Sequence, residues 1–359
     1  MNETISLIIP TYNERDNITP LLKRLEHTLA GYNYETIFID DNSADGTAEV
    51  ATSLAGKYPV KVIVRKDKRG LASAIVDGLK HASGKIITVM DADLQHPPEV
   101  LTDLIKELEK GADIVIASRY VKGGSCPSWN LYRMVVSRGA IFLAHLFLPA
   151  IRSVNDPTSG FFMFNKKVAA GAELKPLGYK ILLEILIAGN FKRVAEVPYT
   201  FGARDKGESK LGAGQQIVYL KHILSLMKRS GELLRFLKFC LVGLSGVGVN
   251  MSLLWLLTEF AGLFYILSAA IGIETSITNN FILNNYFTFA DRRQSGVKIF
   301  LKRLLKFNMV SLTPIAINLI ILWFLTEDLG VFYLYSNLVG VAAAALWNYL
   351  VNNWWTWKQ

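Results

Sequence analysis

Two rhythms divide the chain. As far as about Gly231, apolar runs of five to eight residues alternate with charged stretches whose apolar positions recur at helical spacing; beyond it, long apolar segments take over. The first rhythm predicts strands at SLIIP, ETIFID, VKVIVR, KIITVMD and ADIVIASR, with helices such as ITPLLKRLEHTLAG and PEVLTDLIKELEKG between them. Strands that read as unbroken Ile- and Val-rich runs are buried on both faces, which predicts an α/β domain with a mostly parallel sheet covered by helices. In such sheets ligands bind beyond the carboxyl ends of the strands. Those ends are polar here: TYNER, DDNSADGT, DADLQH and SRY follow the first, second, fourth and fifth runs.

The second rhythm predicts four membrane-crossing helices, roughly Phe236–Thr258, Leu263–Leu283, Leu304–Leu325 and Tyr333–Leu350. Each approaches the ~20 residues an α-helix needs to cross a bilayer. They form a duplicated hairpin. RFLKFCLVGLSGVGVNMSLLWLLTE at Arg235 recurs without a gap, 68 residues on, as RLLKFNMVSLTPIAINLIILWFLTE at Arg303. The same offset carries Asn280, Asn284 and Asn285 onto Asn348, Asn352 and Asn353. An amide in hydrocarbon needs a partner, so these asparagines are expected at helix contacts. Glu274, near mid-span, is a candidate for function as an intramembrane acid, although its counterpart is Ala342. Lys228, Arg229, Arg235 and Lys238 enter the first span, and the central loop carries Arg292, Arg293, Lys298, Lys302, Arg303 and Lys306. The hairpin loops carry Glu259, Glu327 and Asp328 and no basic residue. The excess of Lys and Arg on one side sets that side, with both termini, in the cytoplasm.

Charge and composition add less. The net charge of +9 is concentrated beside apolar segments and no nucleic-acid motif accompanies it, so the basic partner is a membrane surface and not nucleic acid. Cys126 and Cys240 follow no metal or disulfide spacing and read as packing residues. The opening MNETISLIIPTYNERDN does not read as a signal peptide, because its apolar run is short and flanked by acids. GAIFLAHLFLPAI after Arg138 is too short to span and reads as an interfacial helix, as does QQIVYLKHILSLMKRSG before the first span.

The chemistry begins at VMDADLQHPPEV. Asp91 and Asp93 are two apart, so an extended segment would turn both carboxylates to one side, with Gln95 in the same alternation. Hard oxygen ligands suit Mg²⁺ or Mn²⁺, which can neutralise a leaving diphosphate. The competing reading is a helix cap, since Asp93 shortly precedes PPEVLTDLIKEL. His96 reads as a ligand, a supporting group or a solvated loop residue. There is no G-x-G-x-x-G and no Walker lysine loop.

IIPTYNE, DDNSADGT, DADLQHPPE and GESKL, in this order, together with DPTSGFFMF, GYKILLEIL and FGARDKGESKL, resemble family 2 glycosyltransferases of the GT-A fold. More closely they resemble the dolichyl-phosphate mannose synthases and related polyprenyl-phosphate glycosyltransferases. The four-span region resembles a GtrA-like membrane domain. The resemblance implies a GT-A domain over residues 1–212, an interfacial linker helix over 213–234 and the membrane domain over 235–359. It implies that a sugar nucleotide, GDP-mannose, meets Pro10, Tyr12, Glu14, Ile39 and Asp41, with Asp91, Ala92, Asp93 and Gln95 on the metal and diphosphate. It also lets Arg119, Lys180, Arg204 and Lys210 reach the donor.

A phosphate monoester acceptor such as dolichyl or polyprenyl phosphate has a second pKa of about 6, so near pH 7 it is already nucleophilic and needs no base. It needs positioned cations. Arg119 follows the fifth strand, Arg133 and Ser137 share a helix face at four-residue spacing, and Arg204 stands before GESKL. These four are the acceptor-phosphate candidates, with Asp91, Asp93 and Arg119 at the reacting centre. Arg133 and Arg138 have a second reading as lipid-headgroup anchors. One displacement would invert the anomeric centre, giving a β-linked lipid from an α-linked donor. The alternatives are a UDP-glucose donor and a membrane domain that moves the glycolipid. A Q-x-x-R-W motif of processive synthases is missing. A homo-oligomer stays open.

Overall fold

The computed structural model describes residues 3–67, 70–175, 177–202 and 213–358. It comprises two compact units, Met1–Leu226 and Met227–Gln359.

In the first unit the chain runs β1 (Ile5–Thr11), α1 (Arg15–Thr28), β2 (Tyr34–Asp40), α2 (Thr47–Ser53), β3 (Val60–Val64), α3 (Leu71–His81), β4 (Ile86–Val89), α4 (Leu101–Glu109) and β5 (Ile114–Ser118). It continues through α5 (Leu131–Phe147), β6 (Phe162–Asn165), α6 (Ile181–Ala188), β7 (Val194–Pro198) and α7 (Ala213–Arg229). The sheet order is β3-β2-β1-β4-β6-β5-β7. All neighbours are parallel except β6, which runs antiparallel to β4 and to β5. The five apolar runs read from the sequence are β1 to β5, and FMFN and VAEVP add two more strands.

Both helical and strand periods meet in the core. Ile5, Leu7 and Ile9 of β1 lie against Ile18, Leu21, Leu22 and Leu25 of α1, which recur at i, i+3, i+4 and i+7. Leu101, Leu104, Ile105 and Leu108 of α4 repeat that spacing. Burying each such side chain contributes roughly 1.5–3 kcal/mol. On α3, a Cβ at Gly78 would stand 2.4 Å from the Ile8 side chain, so only glycine lets this helix lie so close to the sheet. Consecutive strands β1 and β2 lie on one side of the place where β4 joins β1, so the strand order reverses there and leaves a crevice at the carboxyl edge. Because β6 is antiparallel, the loop that precedes it returns to this same edge.

α5 and α7 keep apolar side chains outside the core: Leu131, Tyr132, Val135 and Phe142 on α5, and Ile217, Leu220 and Leu224 on α7, are exposed. That is the surface expected of helices lying on a membrane.

The second unit holds four helices long and apolar enough to cross a membrane: Glu232–Glu259, Tyr265–Thr288, Val297–Asp328 and Tyr333–Thr356. Their helical cores are α8 (Glu232–Glu259), α9 (Tyr265–Leu283), α10 (Val297–Trp323) and α11 (Tyr333–Val351). They outrun the apolar segments because basic and amide-bearing turns at the ends stay helical. α9 and α11 each close in a π-helical turn, Asn284–Thr288 and Asn352–Thr356, at equivalent places in the repeat.

The duplication is structural as well as sequential. A Cβ at Gly272 would stand 2.6 Å from Asn250 Oδ1, and one at the equivalent Gly340 would stand 2.1 Å from Asn318 Oδ1. The asparagines thus pack against glycines of the partner helix within each hairpin. Asn284, Asn285, Asn352 and Asn353 are buried as well, whereas Glu274 is exposed on α9. Cys126 and Cys240 are half-buried and unpaired.

Replacing Gly340 by Ala forces Asn318 out of its contact. The expected cost is about 1–3 kcal/mol of overpacking, seen as a lowered melting temperature in detergent. Gly248, whose added Cβ meets nothing within 4 Å, is the control, and its Ala variant should melt at or above the parent.

Candidate active site

The polar strand ends do converge. One pocket of the first unit is lined by Pro10, Tyr12, Glu14 and Asp41, by Asp91, Ala92, Asp93, Gln95 and His96, and by Arg119, Arg133, Ser137 and Lys180. Of the expected site residues, Ile39 is outside this lining. It is fully buried in β2 beneath α3, paired in register with Pro10, so its side chain serves the core. Arg204 and Lys210 lie outside the described residues.

The loops after β1 and β2 are laced together. Asn13 N–H donates to Ser43 Oγ at 2.9 Å, Ala44 N–H to Asn13 Oδ1 at 3.2 Å, and Glu14 N–H to Thr47 Oγ1 at 2.9 Å. Asn13 and Asn42 both adopt φ of +57°, a left-handed turn conformation that Asn tolerates. Asp40 serves this turn, accepting from Thr11 Oγ1 at 3.0 Å and from the Ser43 N–H and hydroxyl. Asp41 faces the pocket, but its carboxylate is largely engaged. Oδ1 accepts from Arg65 Nε at 2.8 Å and from Arg65 Nη2, and Oδ2 from Gly70 N–H at 2.7 Å. Three of about four acceptor positions are therefore taken within the fold. Arg65, which also reaches Asp77 and Ser73, is a residue the sequence pattern did not flag.

At the third loop the geometry corrects the strand argument. β4 stops at Val89, so Asp91, Asp93 and Gln95 are not successive outward positions of a strand. They reach one pocket because Leu94 takes φ of +61° and folds the chain back on itself. That conformation costs a non-glycine residue about 1 kcal/mol. Asp93 is buried and its Oδ1 accepts from Gln95 N–H at 3.2 Å; it caps no helix, since α4 is entered through the Pro98–Val100 turn without a side-chain cap. Gln95 Nε2 donates to the Gly202 carbonyl at 3.1 Å, which turns its amide oxygen the other way. His96 is not a solvated residue. It is buried, stacks on Phe161, and its Nδ1 accepts the Asp91 N–H at 2.9 Å. Burial pushes its pKa down to about 4, so the ring is neutral. Gly160 gives the ring room: a Cβ there would stand 3.2 Å from His96 Cε1.

Two carboxylates and an amide oxygen are hard donors suited to Mg²⁺ or Mn²⁺. Among the described residues no group of three His, Cys, Asp or Glu is placed to hold an ion unaided. The set fits an ion that takes its remaining oxygens from a diphosphate and water.

Opposite stand the cations. Arg119 Nε and Nη2 donate to the two Asp156 oxygens at 2.7 Å each, both residues being buried. Burial alone would lower the Arg119 pKa, but Asp156 overrides it and raises it, so the guanidinium is permanently charged. Burial would likewise raise Asp156, and Arg119 holds it below the usual carboxylate range. Glu196 of β7 fixes the backbone of this loop, accepting the Asp156 N–H at 3.0 Å and the Asn155 N–H at 2.7 Å. Lys180 Nζ donates to the Thr158 carbonyl at 2.7 Å. Burial, and then the Arg119 charge, lower its pKa to about 7. Ser137 Oγ accepts from Tyr120 OH at 2.8 Å, and the Arg133 guanidinium lies over the Trp129 ring. Asp156 and Trp129 also escaped the sequence reading, although DPTSG was a visible motif.

The glycosyl transferase family 2 profile matches residues 6–170, and the GtrA/DPMS transmembrane-domain profile matches residues 238–357. The chain is 48% identical to a dolichol-phosphate mannosyltransferase of Pyrococcus furiosus over 98% of this chain and 99% of that one. It is 38% identical to a dolichol-phosphate mannosyltransferase of Saccharomyces cerevisiae over 63% of this chain and 88% of that one. The crystal structure of a mycobacterial protein shares the fold, with a TM-score of 0.50 and 21% identity, covering 64% of this chain and 75% of that one.

Replacing Asp156 by Ala leaves the Arg119 charge buried and unpaired. The expected loss is about 3–5 kcal/mol of stability, read as a fall in melting temperature. A displaced guanidinium at a reacting centre should also cost roughly a hundredfold in transfer rate. Unchanged stability and rate would show that Asp156 does not set this site.

Proposed function

The chain belongs to the dolichol-phosphate mannosyltransferases, family 2 glycosyltransferases joined to a GtrA/DPMS membrane domain, and from that premise we propose that it moves mannose from GDP-mannose to dolichyl or another polyprenyl phosphate, releasing GDP. The observation that carries this reading is the shared pocket: an oxygen donor set at Asp91, Asp93 and Gln95 faces the cations Arg119, Arg133 and Lys180. An acidic cradle for a metal–diphosphate and a basic cradle for a phosphate nucleophile are the two halves of such a transfer.

When bound at Asp91, Asp93 and Gln95, Mg²⁺ or Mn²⁺ neutralises the diphosphate as it leaves. Asp91 is oriented through its backbone by neutral His96, and Asp93 by the turn at Leu94. Arg119, Arg133 and the Ser137 hydroxyl hold the acceptor phosphate. Charged hydrogen bonds from a planar guanidinium both fix and compensate a phosphate, and Asp156 keeps Arg119 from swinging away. The acceptor dianion supplies its own nucleophilic oxygen, so no residue has to remove a proton. His96, neutral and tied to the Asp91 amide, is left to orientation. Lys180, with its lowered pKa, is poised to gain a full charge when a diphosphate enters. Attack on the anomeric carbon opposite the leaving GDP is one displacement, and an α-linked donor gives a β-linked lipid.

The basic side of the four helices, with both termini and the catalytic unit, lies in the cytoplasm on this reading. The apolar sides of α5 and α7 rest on the bilayer, so the prenyl tail stays in lipid while its phosphate enters the pocket.

Membranes carrying the protein should transfer label from GDP-mannose, with Mg²⁺ or Mn²⁺, to an organic-extractable β-mannosyl lipid. Asp93→Ala or a chelator should reduce this at least roughly a hundredfold, the scale at which a charge-stabilising group in a dry site is felt. Label from UDP-glucose alone would change the sugar and keep the chemistry. An α-linked product would reject the single displacement. No labelled lipid, with translocation of glycolipid intact in Asp93→Ala, would favour the transport reading.

Orientation has its own test. A protease-cleavable tag at either terminus should resist protease in intact cells and be cut after lysis. Cleavage in intact cells would reverse the assignment.

A further inference from the structure

The segment between β5 and α5 places one side chain that the transfer chemistry above does not use. Trp129 sits between the core and the pocket, and two guanidiniums lie over its ring. Arg133 Cζ is 4.4 Å and Arg119 Cζ 5.2 Å from the ring centroid. Phe201 meets the indole edge-on at 5.4 Å, and the same two guanidiniums stand 5.7 Å and 5.9 Å from its ring. One aromatic pair therefore serves both cations.

Two like charges brought together repel, and Asp156 neutralises Arg119. The negative faces of aromatic rings attract guanidiniums without consuming their N–H donors. The indole N–H is buried and makes no hydrogen bond, so the ring is held by its faces and not by its polar edge. Its backbone is fixed as well: Trp129 N–H donates to the Cys126 carbonyl at 3.1 Å. The next residue, Asn130, caps α5 by accepting the Arg133 N–H at 2.9 Å. The turn that places Trp129 thus also places the first turn of the helix bearing Arg133 and Ser137.

We propose that Trp129, backed by Phe201, is a positioning residue that keeps Arg133 and Arg119 converged, so that a phosphate monoester binds without having to assemble its own cation pair. The inference rests on the reading of these arginines as the acceptor-phosphate site. It assigns Arg133 to the pocket and not to lipid headgroups.

The test is calorimetric and needs no sugar transfer. Full-length protein in detergent is titrated with a short-chain prenyl phosphate and, separately, with GDP and Mg²⁺. Trp129→Met keeps apolar volume and loses the ring face, whereas Trp129→Phe keeps a face and loses the N–H. The prenyl phosphate Kd should rise about tenfold in Trp129→Met, equivalent to ~1.4 kcal/mol. GDP should bind within about threefold of the parent, a change under ~0.7 kcal/mol on the same scale, because Asp156 still holds Arg119. Trp129→Phe should recover most of the prenyl phosphate affinity. Parental prenyl phosphate affinity in Trp129→Met would overturn the inference and leave Arg133 to the lipid surface. Equal losses for both ligands, with a lowered melting temperature and no recovery in Trp129→Phe, would reduce Trp129 to packing. Absence of prenyl phosphate binding by the parent protein would sink the acceptor reading itself, and this inference with it.

Discussion

A charge buried at the edge of a sheet must be neutralised, and Arg119 and Asp156 meet that requirement for this site. The guanidinium is carried out of β5, and the carboxylate lies in the loop that leads into β6. These two stretches are neighbours only because β6 runs antiparallel between β4 and β5. An all-parallel sheet would have put the start of β6 at the opposite edge. The reversal brings DPTSG beside DADLQH, so that Asp156, Thr158 and Gly160 support Arg119, Lys180 and His96 respectively. Glu196 on β7 then ties the Asp156 backbone to the next strand. Three strands thus converge on one ion pair, and the cationic half of the pocket hangs from it.

The anionic half is organised on a different principle. Asp91 and Asp93 are placed by backbone geometry. Neutral His96 takes the Asp91 amide, and the left-handed turn at Leu94 turns Gln95 toward the pocket. Burial makes the imidazole neutral. The cost of an apolar residue in the left-handed region falls where the backbone must bend to bring three oxygens to one place, which is where strain in a fold is commonly stored.

What the sequence made legible follows from which signals are local. Strand period and polar strand ends could be read directly, because each depends on residues a few positions apart, and one pocket brings Asp91, Asp93, Arg119, Arg133 and Ser137 together. The reason given for the Asp91–Asp93 pair was wrong in mechanism: the segment is a turn and not an extended strand, and nothing in the leucine at 94 announces a positive φ. Ile39 was implied by resemblance to the donor site, yet the sheet register places it under α3. Arg65 and Asp156 were missed because their partners are remote in sequence. Asp41 meets Arg65 across 24 positions and Arg119 meets Asp156 across 37. Neither separation shows as a local period.

The membrane unit shows the same limit from the other side. Its duplication was readable as a fixed offset, and the equivalent residues Phe289 and Trp357 stack on each other at 4.3 Å where the two halves meet. Around them Phe239 and Tyr349, at 5.5 Å, mirror Phe307 and Phe281, at 5.8 Å. The symmetry breaks in a coupled way. In one half Phe281 packs on Phe300 at 5.0 Å. In the other, their counterparts are Tyr349 and Glu232, joined by a hydroxyl donating to the carboxylate at 3.1 Å. A buried hydroxyl or carboxylate alone would be costly, and two facing phenylalanines need no polar partner. Each pair is matched in polarity, Glu232 being held by Arg235 and Arg292 as well as by the Tyr349 hydroxyl. That pairing crosses 117 residues, and it separates the halves of the repeat by chemistry where the offset alone would call them alike.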